Sequence, residues 1–231
     1  MIDKRVEGFA AALAGMKDGD TLLCGGFGAV GEAFALIEAV IALGLRDLTV
    51  VCNNAGSGLV GVAALLKAGR ARKLICSYPR SSDPQVIDEL YARRAIEIEL
   101  VPQGTLSERM RAAGAGIGGF FTRAGADTKL ADGKEIREID GKLYVFEPPL
   151  PGDFALIKAH RADRWGNLVY RKSARNFNPV MAMAGKVTVA QVDELVELGA
   201  LDPETIVTPG IFVDRVVLAP FETRADARSS G

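Results

Sequence analysis

The stretch Gly26-Phe27-Gly28-Ala29-Val30-Gly31 follows a short apolar run, Thr21 to Cys24, and precedes a helical pattern. Glycines at this density let a backbone approach a ligand closely, and N–H groups at a helix start favour negative charge. Such a loop could hold a carboxylate, a phosphate or a developing oxyanion. The bland alternative is a tight turn where a helix packs on a strand. The spacing also matches the dinucleotide fingerprint G-x-G-x-x-G, which needs an acid at the end of the second strand, roughly 20 residues on. That strand ends here at Cys52 and is followed by Asn53 and Asn54, whereas Asp47 precedes it, at the wrong end of the sheet. An NAD-dependent oxidoreductase is therefore the weaker reading.

Asn53, Asn54 and Gln103 stand just after strands of an alternating pattern. Ligands of open α/β sheets lie at those carboxyl ends. Side-chain amides donate hydrogen bonds without bringing charge, which suits an oxyanion hole. Other chemistries lack their residues. His160 is the only histidine, which excludes a Ser-His-Asp triad. There is no P-loop lysine, and Cys24, Cys52 and Cys76 are too far apart for a zinc site, so no metal is expected. Glu32 reads as an acid complementing a helix dipole and Glu108 as a solvated helix residue. The chain presents donors without an attacking group.

These residues need a scaffold, and the patterning supplies one. Helices are expected over 3–16, 33–43, 60–68, 83–93 and 106–113, with Asp83-Pro84 opening the fourth and a turn over 102–105. Strands are expected over 21–24, 48–52, 73–78, 96–101, 154–160, 168–171 and 186–192. Alternation on this spacing means an α/β fold: three layers, a largely parallel sheet with helices on both faces. The run EIREIDGKLYVFE, residues 135–147, turns at Asp140-Gly141, a type I′ signal, and reads as a β-hairpin insertion. One domain over 1–218 with a frayed polar tail over 219–231 is expected.

Composition agrees with a globular chain: 231 residues, 48% hydrophobic, with 28 Lys+Arg against 29 Asp+Glu. That charge balance gives no field for nucleic acid, and no basic helix marks a DNA-linked sensing module. No apolar run is long enough to cross a membrane, and the N-terminal residues lack a signal-peptide core. Three buried, reduced cysteines at strand ends would fit a cytoplasmic location.

The order of these blocks resembles the alpha (A) subunit of a family I coenzyme A transferase. The signature is an Asp/Asn-Gly turn, three apolar residues, Gly-Gly-Phe, then Gly-x-Pro. Asp18-Gly19, Leu22 to Cys24, Gly25-Gly26-Phe27 and Gly31 fit it. The resemblance continues through LTVVCNNAG, VPQGTLSERMRAAGAGIGGFFT, EIREIDGKLYVFE and GDFALIKAHRADRWGNLVYRKSARNFNPVMAMA, to about Leu218. It departs at one point: Glu32-Ala33 stand where the family has x-Pro, which should loosen the loop and set a carboxylate beside it.

The resemblance implies CoA transfer from succinyl-CoA to a 3-oxo acid, 3-oxoadipate first and acetoacetate as the alternative. The acyl-CoA and the acid are substrates, with no cofactor, metal or ATP. It also implies a glutamate nucleophile on a separate beta subunit, in an assembly of two alpha and two beta chains. Asn53 and Gln103 would serve the catalytic pocket. Gly25, Gly26, Phe27, Gly28, Gly31 and Asn54 would line the substrate and CoA site. A diacid acceptor would need a second cation, for which Arg80 and Arg109 are the candidates.

Overall fold

A computed structural model describes residues 2–219. Strand β1 (Thr21–Cys24), helix α2 (Phe34–Leu43), β2 (Leu48–Cys52), α3 (Gly61–Lys67), β3 (Ala71–Cys76), α4 (Gln85–Ala92) and β4 (Glu97–Leu100) alternate after a short first helix, α1 (Gly8–Ala12). Helix α5 (Gln103–Gly114) follows, then β5 (Phe120–Thr122), β6 (Ile136–Ile139) and β7 (Lys142–Glu147). The chain returns with β8 (Gly152–Ala162), β9 (Leu168–Val169), α6 (Asn178–Ala184), β10 (Gly185–Leu195) and β11 (Arg215–Leu218).

The main sheet runs β11-β10-β8-β1-β2-β3-β4, all parallel, with β9 antiparallel on β8. Its central strands are apolar along their length because both faces are covered. Leu22, Cys24, Val50, Cys52, Leu74 and Leu156 meet α1 to α4, whereas Leu23, Val51, Ile75 and Ile157 meet α5 and α6. This is the three-layer arrangement that the alternation implies. The hairpin turns at Asp140 (φ 51°) and Gly141 (φ 70°), both left-handed as a type I′ turn requires. With β5 it forms a separate antiparallel sheet, β5-β7-β6, inserted between α5 and β8.

Several expectations are corrected. The N-terminal helix shrinks to α1, because Lys4 and Val6 exchange backbone hydrogen bonds with Val216, which makes the preceding segment an extra edge on the sheet. Gly8 and Gly15, at φ 73° and 91°, bound what helix remains. Helix α4 begins after Pro84, and no side chain caps it. Helix α5 absorbs most of the expected turn, so Gln103 stands in its first turn. Strand β5, helix α6 and strand β11 carry too short a pattern to be read from sequence. Of the tail, Ala219 is hydrogen-bonded to Val192 and Gln191 on β10, and 220–231 lie outside the described residues.

Candidate active site

Asn53 follows β2 directly and is only 2% exposed. Its Oδ1 accepts two hydrogen bonds, from Gln103 Nε2 and from Ser77 Oγ, each at 2.7 Å. The single Ser77 hydroxyl hydrogen is shared between Asn53 Oδ1 and the Asn53 carbonyl, 2.9 Å from Oγ. The carboxyl ends of β2 and β3 and the first turn of α5 thus converge on one amide. With its oxygen held from two sides, the amide cannot rotate. Its Nδ2 is buried without a hydrogen-bond partner among the described residues. An unpaired buried donor costs roughly 1–3 kcal/mol, so it calls for an explanation. Asn53 lines a crevice of about 10 Å³ with Gly25, Gly26, Gly28, Glu32 and Asn54. A preoriented N–H donor at such a place can stabilise a negative oxygen.

The sequence-derived residues divide in this geometry. Asn53 and Gln103 come together, but Gln103 acts through Asn53, donating to its oxygen. Asn54 borders the crevice, yet its Oδ1 accepts from Gly56 N at 2.9 Å and its Nδ2 donates to the Tyr78 hydroxyl at 3.4 Å. It builds an Asx turn in addition to any contact with a ligand. Phe27 and Val30 face each other across a miniature hairpin at the loop tip, both about half exposed.

The glycines are explained in part by protein rather than ligand. A Cβ on Gly25 would lie 1.9 Å from Asn178 Oδ1, and one on Gly31 would lie 2.4 Å from the Ala174 carbonyl oxygen. Asn178 is fully buried at the start of α6. It accepts from Lys158 N at 2.9 Å and donates to the carbonyls of Gly31 and Ala174. Gly25 and Gly31 are therefore required by packing against this side chain, as the bland reading of the loop holds. The only hint of it in sequence is the Asn178-Pro179 pair, which lies within one of the resemblance blocks.

Glu32 is also corrected. It precedes α2 but caps α3 instead: its buried Oε1 accepts from Val62 N at 2.7 Å, near the start of α3. Gly61 leaves room for the carboxyl, since a Cβ there would meet it at 2.5 Å. Burial pushes the Glu32 pKa up to about 7, only partly offset by the Val62 N–H. The x-Pro replacement thus brings a carboxyl under the loop that is largely protonated below neutral pH.

Neither arginine proposed for a second carboxylate is available. Arg80 is exposed and pairs with Asp88 at 2.9 Å, while Arg109 is buried, pairs with Glu99 at 2.9 Å and donates to the Pro148 carbonyl. Glu108 pairs with Arg111 at 2.8 Å on the surface. Cys24, Cys52 and Cys76 are buried free thiols at strand ends, and burial raises the pKa of all three, Cys76 to about 12. Among the described residues no His/Cys/Asp/Glu group is placed to hold a metal ion, and no helix is long and apolar enough to cross a membrane.

The coenzyme A transferase family model matches residues 6–219, and the match runs through the glycine loop and both amides. The chain belongs to the coenzyme A transferase family. It is 61% identical to the alpha (A) subunit of the 3-oxoadipate CoA-transferase of Pseudomonas putida, over 94% of each chain. It is 51% identical to the alpha (A) subunit of the succinyl-CoA:3-ketoacid coenzyme A transferase of Xanthomonas campestris pv. campestris, over 98% of this chain and 93% of the other. Its fold superposes on an Escherichia coli acyl-CoA transferase, solved as a thioester complex with CoA, at a TM-score of 0.81 and 23% identity. That likeness covers 96% of this chain and 48% of the longer one, so the transferase chain described here spans about half of that structure's length. The glycine loop therefore belongs to a transferase scaffold, and nothing in these relatives supports the dinucleotide alternative.

Proposed function

We propose that this chain is the alpha subunit of a CoA-transferase that moves CoA from succinyl-CoA to a 3-oxo acid, with 3-oxoadipate as the acceptor. The observation that carries the reading is the Asn53 amide: buried, held by Gln103 and Ser77, left with an unpaired Nδ2 among the described residues, and part of a residue that lines the crevice with Gly25 and Gly26. The relatives, each one of the two kinds of chain in its enzyme, supply the reaction class and imply the partner. That partner is a beta chain carrying the attacking carboxylate. An assembly of two chains of each kind and a cytoplasmic location belong to the same proposal.

In the first half-reaction a glutamate of the beta chain attacks the thioester carbonyl. The resulting oxyanion accepts from Asn53 Nδ2, and collapse expels CoA thiolate to leave an acyl-glutamyl anhydride. The thiolate attacks the glutamyl carbonyl of that anhydride, releases succinate and leaves a glutamyl-CoA thioester. The acceptor carboxylate then attacks this thioester, and the same steps run in reverse order to give the new acyl-CoA and the free glutamate. One thioester replaces another, so the chemistry needs no redox step and no ATP.

Mixing the purified chain with its beta partner tests the reading. CoA transfer should appear only in the mixture, and activity of this polypeptide alone would overturn the assignment of roles. Acetoacetate is the second reading, favoured by the 3-ketoacid relatives. Turnover of the mixture with each acid decides between them.

A further inference from the structure

A second concave site lies on the other side of the glycine loop. Strand β1 pairs with β2 on one edge and with β8 on the other, although residues 53–151 separate β2 from β8. The sheet order therefore reverses at β1, and the crevice at such a switch point is where open α/β sheets bind ligands. Here it is a cleft of about 210 Å³, walled by Gly31 and Phe34 on one side and by Lys158, His160, Arg171 and Asp193 on the other. Side chains alternate along strands, and the intervening Ile157, Ala159 and Val192 are buried against α5 and α6. Lys158, His160 and Asp193 consequently share the face of the sheet on which α2 begins.

The charges of this cleft do not cancel. The buried Lys158 ammonium pairs with Asp193, whose other oxygen is 3.3 Å from His160 Nδ1. The Arg171 side chain, on the exposed side, has no hydrogen-bond or ion-pair partner among the described residues. The start of α2 adds the positive end of a helix dipole. Glu32 also borders the cleft, but its raised pKa limits its negative charge near neutrality. An anion entering here would meet Arg171 at the mouth.

We propose that this cleft holds the distal carboxylate of a dicarboxylic acceptor and so selects a 3-oxo diacid over a 3-oxo monoacid. The inference rests on the transferase function proposed above. The spacing suits it: β2, which Asn53 follows, and β8, which carries Lys158, flank β1, so their backbones are two strand separations, ~10 Å, apart. A short diacid spans that distance, with its reacting carboxyl at Asn53 and the other towards Arg171. A monoacid has nothing to place there.

The test uses the chain in complex with its beta partner, with Arg171→Gln and Arg171→Lys compared to wild type. In ping-pong kinetics kcat/KM for the acceptor reports only the second half-reaction, so the distal carboxylate of succinyl-CoA does not enter. The expected result is that the ratio of kcat/KM for 3-oxoadipate over acetoacetate falls at least tenfold in Arg171→Gln and recovers most of its value in Arg171→Lys. An unchanged ratio overturns the proposal. Equal losses with both acids and a raised KM for every CoA thioester would instead make the bound anion a phosphate of CoA. The transferase reading fails separately, if the wild-type complex turns over neither acid.

Discussion

The crevice at Asn53 and the cleft at Lys158 lie on either side of one loop, yet they are built from opposite materials. Beside the Glu32 carboxyl, the crevice presents the neutral amides of Asn53 and Asn54, and Asn53 is held by Gln103 and Ser77 with its Nδ2 left over among the described residues. The cleft presents full charges, of which Arg171 is exposed and has no partner among the described residues. The difference follows from what each would face. A tetrahedral oxyanion exists only transiently along the reaction path, and a fixed cation beside it would bind the resting carboxylate as well, which does not raise kcat. A distal carboxylate is charged throughout the reaction, so a permanent cation fits it. Neutral, rigid donors mark the place of transient charge, and exposed cations mark the place of lasting charge.

The largest effect that could break this contrast is at Asn53. Replacing it with alanine should lower kcat by ~10²–10³, the usual cost of one oxyanion donor, with the acceptor KM changing far less. Steady-state kinetics of the reconstituted complex would show this. A variant that loses KM and keeps kcat would make the crevice a ground-state binding site like the cleft.

Glu32 borders both regions and gives the next effect, read in stability. Its pKa is about 7 in the fold against an ordinary 4.5, so between those pH values the folded chain keeps a proton that the unfolded chain releases. The stability contributed by the protonated carboxyl is complete below about pH 4.5 and is lost as pH rises through 7. Glu32→Gln keeps an acceptor for Val62 N and has no proton to lose. Its advantage over wild type in urea unfolding should grow from pH 5 to pH 8 by roughly 3 kcal/mol at most. Parallel pH profiles for the two proteins would contradict a buried, proton-holding carboxyl.

Gly25 tests the crevice wall where it packs on Asn178. Gly25→Ala would drive a methyl group into Asn178 Oδ1 and should destabilise the chain by roughly 1–3 kcal/mol, seen as a lowered Tm. An unchanged Tm would mean that Asn178 yields easily and that this glycine serves a ligand rather than packing.

The smallest effect sharpens the comparison within the crevice. Gln103→Ala removes one of the two bonds holding Asn53 Oδ1, and Ser77 retains the other. The loss should be ~10-fold in kcat, about the value of one hydrogen bond, and it should vanish in an Asn53→Ala background. Additive losses would make Gln103 an independent donor, as its place after a strand suggests.

What the sequence determines is local. Runs ended by Cys define β1 to β3, an alternating run before Pro102 defines β4, and Asp140-Gly141 determines its own turn, because strand period and turn chemistry are written in neighbouring residues. The absence of a nucleophile motif is equally plain there, since residue types need no coordinates. Tertiary structure alone decides which strand ends become neighbours. Only the pairing of β1 with β8 puts Lys158 and Asn178 against the glycine loop. Only the meeting of α5 with the end of β2 lets Gln103 donate to Asn53 and brace its amide. Glu32 shows the same limit, for a carboxyl drawn under a loop by a helix 30 residues away titrates by its burial, which no neighbouring residue encodes.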